Sequence, residues 1–103
     1  MEIPAYRQKL QNAASTGLGV ALNTYNYARE HTFYITGTAS VSAGAVQPET
    51  APSSAGPWAP LGSEIAVSTT TTVVNQTGAL QWIRCQISSA VAGGTVTVMA
   101  QGN

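Results

Sequence analysis

Aspartate is missing from this chain of 103 residues. Its only carboxylates are Glu2, Glu30, Glu49 and Glu64, set against Arg7, Lys9, Arg29 and Arg84 for a formal net charge of zero. A phosphate backbone is bound by Lys and Arg clustered on one face, and four scattered cations do not supply that, so no nucleic-acid partner is expected. The single cysteine, Cys85, cannot close an internal disulfide. No apolar run approaches the ~20 residues of a membrane helix, and the N-terminus lacks the basic-then-apolar order of a secretory signal, so no membrane partner is expected either. Asn75-Gln76-Thr77 fits a glycosylation sequon, but that chemistry needs a secretory route.

Large aliphatics are scarce too, with Leu, Ile, Val and Phe making up about a fifth of the chain. Ala, Thr, Ser and Val take their place, a mixture suited to thin β-sheets with small side chains between them. A core built this way is shallow, and a short chain buries only about two-thirds of its unfolded surface, so further burial against partners is expected. The low charge leaves little repulsion between copies, which favours self-association.

The expected fold is all-β, a single β-sandwich or jelly-roll-like domain of about eight short antiparallel strands over residues 18–103, preceded by an N-terminal segment over residues 1–17. In that segment Ile3, Tyr6, Leu10, Ala13 and Ala14 fall at helical spacing with Pro4 in a tolerated first-turn position, and Ser15-Thr16-Gly17 stops the pattern. A helix this short is marginal alone, so the segment reads as a docking arm or as a short helix packed on its own domain. Strands are expected over 18–23, 32–38, 43–49, 58–61, 64–68, 71–74, 80–88 and 95–101, separated by Gly, Ser, Asn and Pro.

The clearest alternation lies in 80–88, where Ile83, Cys85 and Ile87 share a core face and Trp82, Arg84 and Gln86 share the other. Ala92-Gly93-Gly94 predicts a hairpin joining this strand to the last one. Pro48 suggests an edge strand, because proline cannot donate to a ladder. The proline-rich stretch 48–60 reads as a long loop of the kind that is functional or covered by a partner.

Chemistry-bearing residues are few. A nucleophilic triad could use only Cys85 and His31, which read instead as a buried thiol and a surface histidine. One His, one Cys and four scattered Glu lack metal-site spacing, no carboxylate pair stands out, and Gly17-Leu18-Gly19 lacks the rest of any phosphate-binding loop. No catalytic residue, cofactor or metal is therefore expected. Trp58 reads as a cap on the sandwich end or a partner anchor. Trp82 and Arg84 read as interface residues or as a guanidinium stacked on an indole within one subunit. Tyr25 and Tyr27 could cover the sheet end or stack on sugars.

Three stretches carry a specific likeness: Pro4-Ala5-Tyr6-Arg7-Gln8-Lys9-Leu10-Gln11-Asn12-Ala13-Ala14, Thr32-Phe33-Tyr34-Ile35-Thr36-Gly37-Thr38, and Gly56-Pro57-Trp58. So does the ending, Leu80-Gln81-Trp82-Ile83-Arg84-Cys85-Gln86-Ile87-Ser88 followed by Gly93-Gly94-Thr95-Val96-Thr97-Val98. In these the chain resembles small virion proteins of tailed bacteriophages, in particular capsid decoration, or cement, proteins. The resemblance implies a structural protein made in the bacterial host cytoplasm and carried on the outer capsid surface of the virion. Its partners would be the major capsid protein and further copies of itself, as a homotrimer or else a dimer. The arm from Ile3 to Leu10 would dock on the shell or on a neighbour, and the expected contacts are Ile3, Tyr6, Arg7, Leu10, Trp58, Trp82 and Arg84. The alternative reading, with Tyr25, Tyr27 or Trp58 as an aromatic platform, is a host-glycan or receptor-binding module of a phage head fibre or tail.

Overall fold

The computed structural model describes residues 5–103, and the expectations for Ile3 and Pro4 lie outside them. Nine strands build two antiparallel sheets: β1 (Tyr6–Ala14), β2 (Leu22–Asn23), β3 (Glu30–Gly37), β4 (Ala43–Ala51), β5 (Ala59–Pro60), β6 (Ile65–Ala66), β7 (Thr72–Thr77), β8 (Trp82–Ala92) and β9 (Val96–Gly102). One sheet runs β1-β9-β3-β7; the other runs β2-β8-β4-β5, with β6 also paired to β4. The described residues contain no helix. The all-β expectation holds, with one strand more than the eight foreseen.

The core lies between the sheets. Leu10, Phe33, Ile35, Val96, Val98 and Ala100 come from the first sheet and Val46, Ile83 and Cys85 from the second, all fully buried. Burying a Leu, Ile or Phe side chain stabilises by about 1.5–3 kcal/mol, so this thin layer holds the sandwich mainly through a few large residues.

The added strand is the segment expected as an arm or short helix. β1 pairs antiparallel with β9 from Tyr6↔Gly102 to Ala14↔Val96, and its register breaks between Lys9 and Gln11 and again between Gln11 and Ala14. Each break is a bulge that shifts the side-chain alternation by one. The residues turned from solvent are therefore Tyr6, Leu10, Gln11 and Ala14, a spacing that imitates a helical face. Gln11 Nε2 donates to the carbonyls of Cys85 (2.9 Å) and Gly17 (3.1 Å), tying β1 to the opposite sheet.

Two other expectations are corrected. β8 and β9 are not a hairpin: they belong to different sheets, and residues 93–95 cross between them alongside the β3–β4 crossover. Ser42 N–H donates to the Ala92 carbonyl at 2.9 Å and Thr38 N–H to the Thr95 carbonyl at 3.0 Å, so the two crossovers brace each other. A Cβ on Gly94 would lie 2.1 Å from Thr38 Oγ1, which explains glycine there. A crossover and a hairpin leave the same alternation in the strands they join.

Pro48 stands inside β4, buried and opposite Cys85, rather than on an edge. Its carbonyl accepts from Leu61 N–H at 2.8 Å, so its nitrogen points to the same side, into the gap between β5 and β6 where no ladder partner is required.

Candidate functional site

The outer face of the β2-β8-β4-β5 sheet carries the aromatic and arginine residues singled out from the sequence. Alternation along β8 turns Trp82, Arg84 and Gln86 outward, and register places them opposite Ala51, Glu49 and Gln47 of β4. Arg84 Nε donates to Glu49 Oε1 at 2.7 Å and Gln86 Nε2 to Glu49 Oε2 at 3.3 Å. The short strand β5, paired at Glu49↔Pro60 and Thr50↔Ala59, brings Trp58 over this pair. The Arg84 guanidinium carbon lies 4.1 Å from the centre of the indole ring. The guanidinium thus stacks on Trp58 rather than on Trp82.

This packing leaves Glu49 only 8% exposed although it sits on an outward-facing position. Such a cluster holds the 52–58 loop against the sheet. Trp58 and Trp82 are half-buried, so each still presents part of its ring.

Of the remaining expected contacts, Arg7 is exposed and its Nε donates to Gln101 Oε1 at 3.2 Å. Leu10 is fully buried in the core and offers nothing to a partner, a correction that follows from the bulge in β1. Tyr6 turns inward: its hydroxyl lies 2.7 Å from His31 Nδ1.

His31, expected on the surface, is fully buried. Its Nε2–H donates to the Gly78 carbonyl at 3.0 Å, which leaves Nδ1 to accept from the Tyr6 hydroxyl. Burial lowers its pKa below the usual 6.5, with the Gly78 carbonyl opposing the shift, and burial raises that of Tyr6. The Cys85 thiol is pushed up to about 12, first by burial and then by the nearby negative charge of Glu49. A histidine with both nitrogens engaged and a thiol held protonated form no activated nucleophile. Among the described residues no three of His, Cys, Asp and Glu come together as a metal site.

A second feature lies at one end of the sandwich, where sequence reading named only the tyrosines. Thr24–Tyr27 form a turn closed by Tyr27 N–H donating to the Thr24 carbonyl at 3.1 Å, with Tyr25 (φ 55°) and Asn26 (φ 57°) both left-handed. Non-glycine residues there cost of order 1–3 kcal/mol each and persist where the surroundings enforce them. Tyr25 N–H donates to Asn23 Oδ1 at 2.8 Å and Asn26 Nδ2 to Gln81 Oε1 at 2.7 Å, which supplies that enforcement. The two tyrosine rings stack 5.7 Å apart and are 62% and 74% exposed. Beside them opens a groove of 470 Å³ bordered by Asn26, Thr50, Pro52, Pro57, Leu80 and Gln81. These residues come from three separate loops and strand ends, and no local sequence pattern marks their convergence.

No protein-family model matches the chain, and no curated protein matches it. Among solved structures it is similar to the crystal structure of the SPBc2 prophage-derived protein YomS, with a TM-score of 0.74 and 21% sequence identity over 99% of this chain and 96% of that one. At that identity the likeness is one of fold, over nearly the full length of both chains.

Proposed function

We propose that this chain is a structural virion protein of a tailed phage that binds the outer capsid surface as a decoration, or cement, protein. The observation that carries the reading is the end-to-end fold likeness to a prophage-derived protein. It joins the sequence resemblance to phage virion proteins, and the net charge of zero on a chain this short favours association. In this role several copies associate and bridge neighbouring major capsid protein subunits, adding binding energy that resists internal genome pressure. No catalysis takes part. The half-buried aromatic faces of Trp58 and Trp82 and the exposed Arg7 are the contacts retained from the sequence reading, because Leu10, Tyr6 and Arg84 are occupied internally.

The test is co-sedimentation with expanded empty capsids of the phage that encodes the chain, followed by thermal melting of those capsids. Saturable binding with a raised capsid melting temperature is the expected result. Absence of binding to expanded shells would remove the reading.

One observation favours a second reading, a receptor- or glycan-binding module on a fibre or tail: the stacked, exposed Tyr25–Tyr27 pair beside the end groove. Glycan-array signal that disappears on Tyr27→Ala while the fold persists would support it; a blank array removes it.

A further inference from the structure

The two sheets have four lateral edges, and three of them carry features that discourage pairing. β1 bears Arg7 and Lys9 and two bulges. β2 spans only two residues, and farther along β8 the preceding chain covers the same edge, with Ile87 and Val91 N–H donating to the Gly17 and Ser15 carbonyls at 2.9 Å. β5 and β6 are two-residue strands separated by a gap. Charges, bulges, brevity and cover are the usual protections of an edge strand.

β7 has none of these. Its six residues, Thr72-Val73-Val74-Asn75-Gln76-Thr77, hold no charge and no proline, and their register with β3 is unbroken. Glu30 and Asn103 exchange both backbone hydrogen bonds at 3.1 and 3.0 Å, so even-numbered β3 residues address β9 and odd-numbered ones address β7. Their partners on β7 are Thr72, Val74 and Gln76, which leaves the N–H and C=O of Val73, Asn75 and Thr77 pointing away from the sheet. Among the described residues no hydrogen bond reaches those groups, and all three side chains are exposed, Val73 to 52%.

We propose that the β7 edge pairs antiparallel with β7 of a second copy about a twofold axis at Asn75, joining the two four-stranded sheets into one. This rests on the reading of the chain as a self-associating protein and names the surface that does it. In that register Val73 meets the partner copy's Thr77, Asn75 meets Asn75, and every outward backbone group finds a complement. Asn75 Oδ1 already accepts from Thr32 Oγ1 at 2.8 Å, so its amide N–H groups remain to donate across the axis. The rows brought into line are Met99, Tyr34, Val73, then Thr77 and Glu30 of the second copy, which sets no two like charges opposite each other. An uncharged edge of this kind suits its own copy, because an isologous contact requires only self-complementarity.

The experiment is the solution mass of the full chain by sedimentation equilibrium, with amide hydrogen exchange read at residues 73, 75 and 77. The intact protein is expected to sediment as a dimer in which those three amides are slow. Asn75→Pro removes an outward donor and leaves the backbone bonds to β3 in place, losing only the Thr32–Asn75 side-chain bond, and Val73→Lys places a charge on the edge. Both variants are expected to be monomers with unchanged circular dichroism and fast exchange at 73 and 77. An intact protein that is monomeric, a dimer whose three amides exchange fast, or variants that remain dimers would each overturn the proposal. Capsid binding is scored separately: a monomer that still binds shells defeats edge pairing alone, and a dimer that ignores shells defeats the capsid reading alone.

Discussion

Replacing Arg84 by Met keeps most of the stem packing and removes the charge, which tests whether the Glu49–Arg84–Trp58 cluster is a structural clamp. Glu49 and Arg84 side chains are 10% and 16% exposed and meet at 2.7 Å. Breaking a fully buried pair costs about 3–5 kcal/mol, because one charge is left without a partner in a poor solvent. The residual exposure here lets water take part of that charge, which reduces the loss to about 2 kcal/mol. The guanidinium on Trp58 contributes a further ~0.5–1 kcal/mol. The expected destabilisation is therefore about 2–3 kcal/mol, and at ~4–8 °C per kcal/mol for a domain of this size the melting temperature should fall by roughly 10–20 °C.

The assay is urea unfolding of the single variants Arg84→Met and Glu49→Gln and of the double variant. If the loss comes from stranding the carboxylate, the double variant should be more stable than Arg84→Met alone. A loss below about 0.5 kcal/mol would show the pair to be an ordinary surface contact, and strictly additive effects would show that the two side chains do not act together.

Three further outcomes are expected. Because the His31 pKa is lowered in the fold, the unfolded chain takes up a proton first as pH falls below about 6.5, so unfolding free energy should drop by up to ~1.4 kcal/mol per pH unit below that value, and His31→Gln should flatten the slope. Leu10→Ala should cost about 2–5 kcal/mol in urea unfolding, since β1 is a core strand; a loss near zero would restore the free arm. Iodoacetamide at pH 8 should leave Cys85 unmodified in the folded protein and alkylate it in urea, as a buried thiol pushed up to about 12 requires; rapid native labelling, read by mass spectrometry, would contradict it.

The parts of the fold that were legible in the sequence are those where alternation is unbroken. In β8 Ile83 and Cys85 are fully buried while Trp82, Arg84 and Gln86 face outward, as their spacing required. Seven other expected strands fall within a few residues of observed ones. β1 was illegible because two bulges rewrite its period, so a buried set at 6, 10, 11 and 14 imitates a helix. His31 was misplaced because the groups that make its burial affordable, the Tyr6 hydroxyl and the Gly78 carbonyl, are distant in the chain. The same holds for the Glu49–Arg84–Trp58 cluster. Trp58 and Arg84 were both singled out, but Glu49, which unites them, is identified only by the register of β4 on β8.

In the proposed capsid-binding dimer, self-association and attachment would use different sheets. The β7 edge belongs to the β1-β9-β3-β7 sheet, whereas Trp58, Trp82 and the 52–58 loop lie on the other sheet. Pairing through β7 extends the first sheet laterally and covers none of those aromatics. A dimer built in this way presents two copies of the aromatic face at once, so attachment gains from two-point contact even when each contact is weak. A monomeric edge variant should then retain the attachment surface but bind shells with lower avidity. Substitution at Trp82 should weaken each contact and leave the dimer intact. Observing a dimer that binds shells poorly for Trp82→Ala, and a monomer with weakened shell binding for Asn75→Pro, would support self-association and attachment on different sheets of the sandwich; loss of the dimer in Trp82→Ala would place them on one surface.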